Sequence, residues 1–260
     1  MTQQFYVSPE QLMKDRADFA RKGIGRGRSV VVMSCRDGIA LVAENPSPSL
    51  HKLGEIYDRI AFAAVGKYNE FESLRQAGVR YADVRGYSYA REDVTARGLA
   101  SVYAQSLGAV FTAESKPFEV ELVVAEVGHS QDADHLYRLT FDGSIADESG
   151  FVVMGGAADV VVEALRGTFS ADLALPGAVR AAARALRNGG PAGTNGTTGT
   201  TGTNGTAGEG DRTGAPALDP SVLEVAFLER DPDTLRGSRR AFRRIGGPEL
   251  ENLLQQEQDI

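Results

Sequence analysis

The side chains best suited to chemistry in this 260-residue chain are one cysteine and three histidines. A single thiol, Cys35, excludes an intrachain disulfide and any metal site built from several cysteines. Cys35 ends an apolar run beside a turn, which favours a small buried residue over a catalytic thiol. His51, His129 and His135 lack a serine and an acid at a spacing that suggests a triad, so we expect loop or surface histidines. These residue types predict no metal site and no cofactor.

A capped helix is predicted to precede the first strand. Ser8 is placed to cap the helix, Pro9 suits its first position, and Gln11 could complete a capping box. We expect the helix to end near residues 23–25 through a left-handed glycine. Its inner face is expected to contain Leu12, Arg16, Phe19 and Ala20.

The order of the remaining patterns predicts two sheets with helices outside them. The β-branched run at 30–33 is typical of a strand that is covered on both faces, and Arg-Asp-Gly at 36–38 predicts a hairpin. Further strands are predicted at 39–42, 60–66, 120–124, 136–141, 151–154, 223–228 and 241–245, and helices at 67–85, 93–111, 157–168, 171–187 and from 248. This order suits an α/β (α+β) fold with four layers, an αββα sandwich.

Bulk composition favours a soluble, cytoplasmic protein without a nucleic-acid partner. The chain is 42% hydrophobic, its net charge is −7 and its pI is about 5.1, so it can bury a core but does not attract phosphates. We see no secretory signal and no apolar run of about 18 residues, so no membrane association is expected. Residues at about 188–220 are rich in glycine and threonine, which predicts a disordered insertion within a single domain over 9–260.

Seven short motifs resemble the α-subunit of the 20S proteasome core in its actinobacterial form. They are YVSPEQ at 6–11, VAENP at 42–46, YDR at 57–59, GKYNEF at 66–71, YADVRGY at 81–87, DGSIADE at 142–148 and VMGG at 153–156. The resemblance rests on their joint order and spacing. It covers nearly the whole chain except the Gly/Thr tract and the extreme C-terminus.

This resemblance implies the sandwich fold of the N-terminal-nucleophile hydrolases. It also implies homo-heptameric α-rings stacked on rings of catalytic β-subunits in an α7β7β7α7 particle, where identical subunits meet through heterologous interfaces. Residues 1–8 would be a flexible gating tail, in which Phe5, Tyr6, Val7 and Ser8, continued by Pro9, close the axial pore.

The resemblance further implies a docking pocket for a ring-shaped ATPase. Lys52 matches the lysine that lies between neighbouring α-subunits and pairs with the C-terminal carboxylate of the ATPase. The substrates would be proteins that are tagged with prokaryotic ubiquitin-like protein and unfolded by that ATPase.

The same comparison implies that this chain has no catalytic residue of its own. In this fold the nucleophile is the N-terminal residue at the start of the first strand, and its free amine is the general base. Arg28 stands about where the catalytic threonine would be, and Ser29 has an amide nitrogen. Thr2, if exposed by removal of Met1, would be separated from the strand by a whole helix.

Two alternatives stay open from the residues alone. One is a catalytic member of the same fold, processed near Ser29. The other is a nucleic-acid or adaptor module that uses five nearby arginines, although their apolar neighbours favour a salt-bridged edge strand or a subunit contact. These arginines are Arg236, Arg239, Arg240, Arg243 and Arg244.

Overall fold

The computed structural model describes residues 8–189, 219–231 and 240–255. The strands are β1 (Val30–Cys35), β2 (Gly38–Glu44), β3 (Leu53–Tyr57), β4 (Ile60–Gly66), β5 (Val120–Glu126), β6 (His135–Leu139), β7 (Ile145–Glu148), β8 (Phe151–Met154), β9 (Leu223–Glu229) and β10 (Phe242–Ile245). The helices are α1 (Pro9–Ile24), α2 (Tyr68–Ser88), α3 (Ala96–Ala113), α4 (Ala158–Arg166), α5 (Leu175–Asn188) and α6 (Pro248–Gln255).

Within these ranges the strands form two antiparallel sheets of five strands that face each other. The first has the order β10-β9-β2-β1-β8 and the second β3-β4-β5-β6-β7. Helices α4, α5 and α6 cover the outer face of the first sheet, and α2 and α3 cover the second. The predicted four-layer αββα sandwich is confirmed.

The β-branched run of β1 is explained by its two buried faces. Val30 and Val32 point into the core between the sheets, whereas Val31 and Met33 point into the core under α4 and α5. All six residues of β1 are buried. A strand that is covered by apolar side chains on both faces does not alternate between apolar and polar residues. The continuous apolar run at 30–33 therefore correctly predicted a strand buried on both faces.

Helix α1 lies across one end of the core between the sheets. Ser8 caps it by accepting a hydrogen bond from the Gln11 N–H at 3.2 Å, as predicted. The capping box is wrong, because the Gln11 amide donates to Asp15 instead, at 2.7 Å. The left-handed exit is also wrong, since Gly25 has φ −61°, in the right-handed region.

The predicted buried face of α1 is correct for Ala20 and for Arg16, whose guanidinium group donates to the Phe111 oxygen at 2.7 Å, but wrong for Leu12 and Phe19. Ala20 and Ile24 are buried in the core between the sheets, and Ala17 packs beside them. Leu12 and Phe19 are 44% and 49% exposed. Small residues allow α1 to approach the sheets closely, which leaves its larger apolar side chains outside.

Two helices begin later than predicted. The second long helix starts at Ala96 with Thr95 as its cap, after a 3₁₀ turn at Arg91–Asp93. Helix α5 starts at Leu175, with Pro176 in its first turn where a missing N–H costs nothing. The predicted tail up to residue 7 and the Gly/Thr insertion at 190–218 lie outside the described residues.

Candidate functional site

Lys52 lies directly before β3, at the end of the sandwich that α1 covers. Its ammonium group donates to the backbone oxygen of Arg28 at 2.7 Å and to that of Glu44 at 3.1 Å. Arg28 lies two residues before β1 and Glu44 is the last residue of β2, and these two strands pair side by side. An ammonium group has three protons, so one donor is left for a ligand.

An ion pair borders this lysine. The guanidinium group of Arg28 pairs with the carboxylate of Glu44, whose side chain is only 9% exposed. The two cations and Glu44 therefore share one small region at the strand ends. Glu44 thus serves as an ion-pair residue here.

The charge of Lys52 is finely balanced. Burial lowers the pKa of the Lys52 ammonium group to about 8, although Glu44 and Glu224 act in the opposite direction. Arg28 lowers it further. The group is thus mostly protonated at neutral pH, yet poorly solvated, which favours binding of an anion.

Glu224 of β9 holds the segment before β3. Its carboxylate accepts hydrogen bonds from the backbone N–H groups of Lys52 and Leu53 at 2.9 and 3.2 Å. It also accepts from Asn45 and from Arg244 of β10, each at 2.8 Å. Sequence reasoning missed Glu224, because its partners lie up to 179 positions away along the chain and no local pattern connects them.

The start of β1 is enclosed by backbone. Ser29 is buried, and its backbone oxygen accepts from the Glu44 N–H at 3.2 Å. The Gly156 N–H donates to the Gly27 oxygen at 3.1 Å, and a Cβ atom on Gly156 would lie 2.0 Å from the oxygen of Gly25. Arg28 is itself exposed, but a peptide bond joins it to Gly27, so it lacks the free amine that the fold uses for catalysis.

Cys35 is buried in the core, and the three histidines lie at the surface. Burial raises the pKa of the Cys35 thiol to about 11, so it is an inert core residue, as predicted. His51 is exposed, and its Nδ1 lies 3.2 Å from the Glu224 carboxylate. His129 is exposed, and His135 is exposed and stacks on Tyr137.

A groove of about 1390 Å³ runs beside β3 between α2 and β10. Three arginines in and before β10 line it, and each has an acidic partner: Arg240 pairs with Glu55, Arg243 with Glu229 and Glu249, and Arg244 with Glu224. The salt-bridged edge strand is thereby confirmed for these three, and they offer little free charge to nucleic acid. Arg236 and Arg239 lie outside the described residues.

The described part of the chain lacks both a metal-binding side-chain cluster and a membrane-spanning helix. It contains no group of three or more His, Cys, Asp or Glu side chains arranged for a metal ion. None of its helices has the length and apolar character to span a membrane. Of the predicted gate residues, Ser8 and Pro9 begin α1, while Phe5, Tyr6 and Val7 lie outside the described residues, as does Thr2.

Comparisons with known proteins agree with the fold and the motifs. The family model described as Proteasome subunit matches residues 24–198. The proteasome subunit alpha of Arthrobacter sp. (strain FB24) is 69% identical over 257 residues, which is 99% of this chain and 100% of that protein. Those of Kineococcus radiotolerans and Rhodococcus jostii (strain RHA1) are 59% and 53% identical over 254 and 259 residues, which cover 98% and 99% of this chain and 98% and 91% of those proteins. The chain belongs to the proteasome subunit family and is an α subunit of the actinobacterial type.

Proposed function

We propose that this chain is a non-catalytic subunit of a proteasome core and assembles with catalytic β subunits into a threonine-type endopeptidase. The observation that carries the proposal is the enclosed start of β1. Helix α1 covers this end of the sandwich, and Gly25, Gly27 and the buried Ser29 contact the Gly155–Gly156 turn. A terminal nucleophile needs that position open and its amine free.

The chain forms the outer, homo-heptameric rings of the particle and controls entry to the proteolytic chamber. Several features support this role. Residues 1–7 precede Ser8, which caps α1, so the proposed gate begins at a rigid element. Leu12 and Phe19 leave an apolar surface on α1 for a neighbouring subunit.

Lys52 receives the C-terminal carboxylate of a ring-shaped ATPase. Its third ammonium donor is available, and burial strengthens its attraction for an anion. In the cell this docking would serve the degradation of proteins tagged with prokaryotic ubiquitin-like protein. Several ATPase C-termini that each bind weakly hold one α-ring more tightly together than any of them does alone.

Replacement of the docking lysine tests the proposal. We expect core particles with Lys52→Ala to assemble with β subunits but to lose ATPase-stimulated protein degradation by about tenfold or more, because a charge-assisted bond to the carboxylate is lost at every pocket. Native mass spectrometry measures assembly, and degradation of a tagged protein measures stimulation.

A matched control is Lys67→Ala. Lys67 lies at the same end of the sandwich, is half exposed and has Glu70 as an ion-pair partner at 3.6 Å. Its removal should leave stimulation close to that of the wild type. Full stimulation in Lys52→Ala would exclude Lys52 from docking.

A further inference from the structure

We propose that Glu224 is the positioning residue of the docking pocket. It fixes residues 45–53 so that the Lys52 ammonium group lies at the backbone oxygens of Arg28 and Glu44. The inference rests on the proposed docking role of Lys52 and deepens it, because it identifies what holds that side chain in place.

The Glu224 carboxylate is surrounded by donors from three parts of the chain. Its side chain is only 9% exposed. One oxygen accepts from the Lys52 N–H and the Asn45 amide, and the other accepts from the Leu53 N–H and Arg244. A buried carboxylate with four donors is strongly held, because charge-assisted hydrogen bonds exceed neutral ones in strength.

The two backbone bonds act directly on Lys52. The N–H groups on either side of the Lys52 Cα atom both point to Glu224, while its backbone oxygen accepts from the Ala64 N–H at 3.1 Å. The peptide planes that flank Lys52 are thereby fixed. Its side chain is consequently directed to the opposite side, towards the start of β1.

The rest of the segment depends on the same anchor. Asn45 donates both to Glu224 and to the Leu50 oxygen, at 2.8 and 2.7 Å, and its own oxygen accepts from the Ser47 N–H at 3.1 Å. Residues 45–52 contain no helix or strand. Without regular structure, side-chain hydrogen bonds determine the conformation of this segment.

The first test measures the segment independently of docking. In assembled core particles, Glu224→Gln should increase amide hydrogen exchange in peptides that cover 45–53 by about tenfold, because glutamine has one acceptor oxygen and its NH₂ group must face donors. Glu229→Gln is the matched control. Glu229 lies on the same strand and accepts from Arg243 of β10 at 3.1 Å, and its replacement should leave the 45–53 segment protected. Protection in Glu224→Gln equal to that of the wild type would overturn the proposal.

The second test connects the segment to docking. With the purified proteasomal ATPase ring as the probe, Glu224→Gln should raise the ATPase concentration that gives half-maximal stimulation by about tenfold, with little change in the maximal rate. In the Lys52→Ala background the same change should add no further loss. An unchanged half-maximal concentration, while Lys52→Ala abolishes stimulation, would overturn the positioning role.

The two proposals fail in different ways. If Lys52→Ala keeps full stimulation while Glu224→Gln still increases exchange at 45–53, the docking role of Lys52 is wrong and the fixing of the segment by Glu224 is correct. If exchange is unchanged and Lys52→Ala abolishes stimulation, Lys52 docks the partner without help from Glu224.

Discussion

The protonation of Lys52 is the chemical variable on which the proposed docking depends. Burial and the nearby Arg28 lower its pKa, whereas Glu44 and Glu224 raise it, with about 8 as the result. A lysine at the surface would be charged throughout the physiological range. This one loses its charge within a range that experiments can reach without unfolding most proteins.

At the residue scale we therefore predict pH-dependent stimulation. Because the pKa in the folded chain lies below the ordinary value of 10.5, the charged form is present below about pH 8 and is lost as the pH rises through it. A docked carboxylate raises the pKa, so the midpoint should lie at or somewhat above that value. The measurement is the rate of ATPase-stimulated degradation between pH 6.5 and 9.5. Both limits lie about one to two pH units from the expected midpoint of the Lys52 titration.

A control separates docking from catalysis in the chamber. Hydrolysis of small peptides by core particles whose α subunits lack residues 2–7 does not need the ATPase, so it reports the β subunits alone. Dividing the stimulated rate by this rate removes their own pH dependence. A corrected profile that is flat across pH 8 would contradict the assignment.

Sequence reasoning identified only part of this site. The roles of Lys52 and of the position of Arg28 were implied by the resemblance of the flanking motifs to the proteasome α-subunit family. Those of Glu224 and Arg244 were not, because their contacts depend on the pairing of β2 with β9 and of β9 with β10. A single sequence gives no register for strands separated by more than 170 positions.

At the scale of elements, the order of the helices and of eight of the ten described strands was predictable, whereas β3, β7 and the orientation of α1 were not. The continuous apolar run of β1 and the alternation in β6 follow from which faces are covered. Helical spacing placed Leu12, Phe19 and Ala20 on one broad face of α1. It could not show which side of that face packs against the sheets. Close packing decided it, because Ala20 fits where larger side chains would not.

The packing of the segment between α1 and β1 gives a prediction about stability. We expect Gly156→Ala to reduce the free energy of unfolding by about 1–3 kcal/mol, since its Cβ atom would overlap the backbone oxygen of Gly25. Urea unfolding of the purified chain measures this. Gly167→Ala is the control: nothing lies within 4 Å of its Cβ position, so it should change stability by no more than about 1 kcal/mol, in the favourable direction. Equal stability of both variants would mean that this segment is loosely held.

At the scale of the whole molecule, α1, which follows the proposed gate, and the docking pocket lie at the same end of the subunit. The five lysines of the chain also gather there: Lys14 and Lys22 on α1, and Lys52, Lys67 and Lys116 beside the ends of β3, β4 and β5. Lys67 and Lys116 both pair with Glu70, so Lys52, with one ammonium donor left over, is the group at this end that we propose to receive an anionic chain terminus.

Removal of the proposed gate is the prediction at this scale. Deletion of residues 2–7, which keeps Ser8 as the cap of α1, should increase several-fold the rate at which assembled cores hydrolyse small fluorogenic peptides. The control is the double substitution Phe5→Ala and Tyr6→Ala, which retains the length of the tail and should have an intermediate effect. Identical rates for deleted and intact cores would mean that the tail does not restrict entry.

The bond between Glu224 and the Lys52 N–H joins residues 172 positions apart, and this fixes when the pocket can exist. A ribosome releases Lys52 long before it has made β9. Until that strand pairs with β2, the segment in front of β3 lacks its Glu224 anchor, so we expect an unfinished or truncated subunit to lack the proposed receptor for the ATPase. The proposed recruitment of the unfolding ATPase is in this way reserved for chains that include β9.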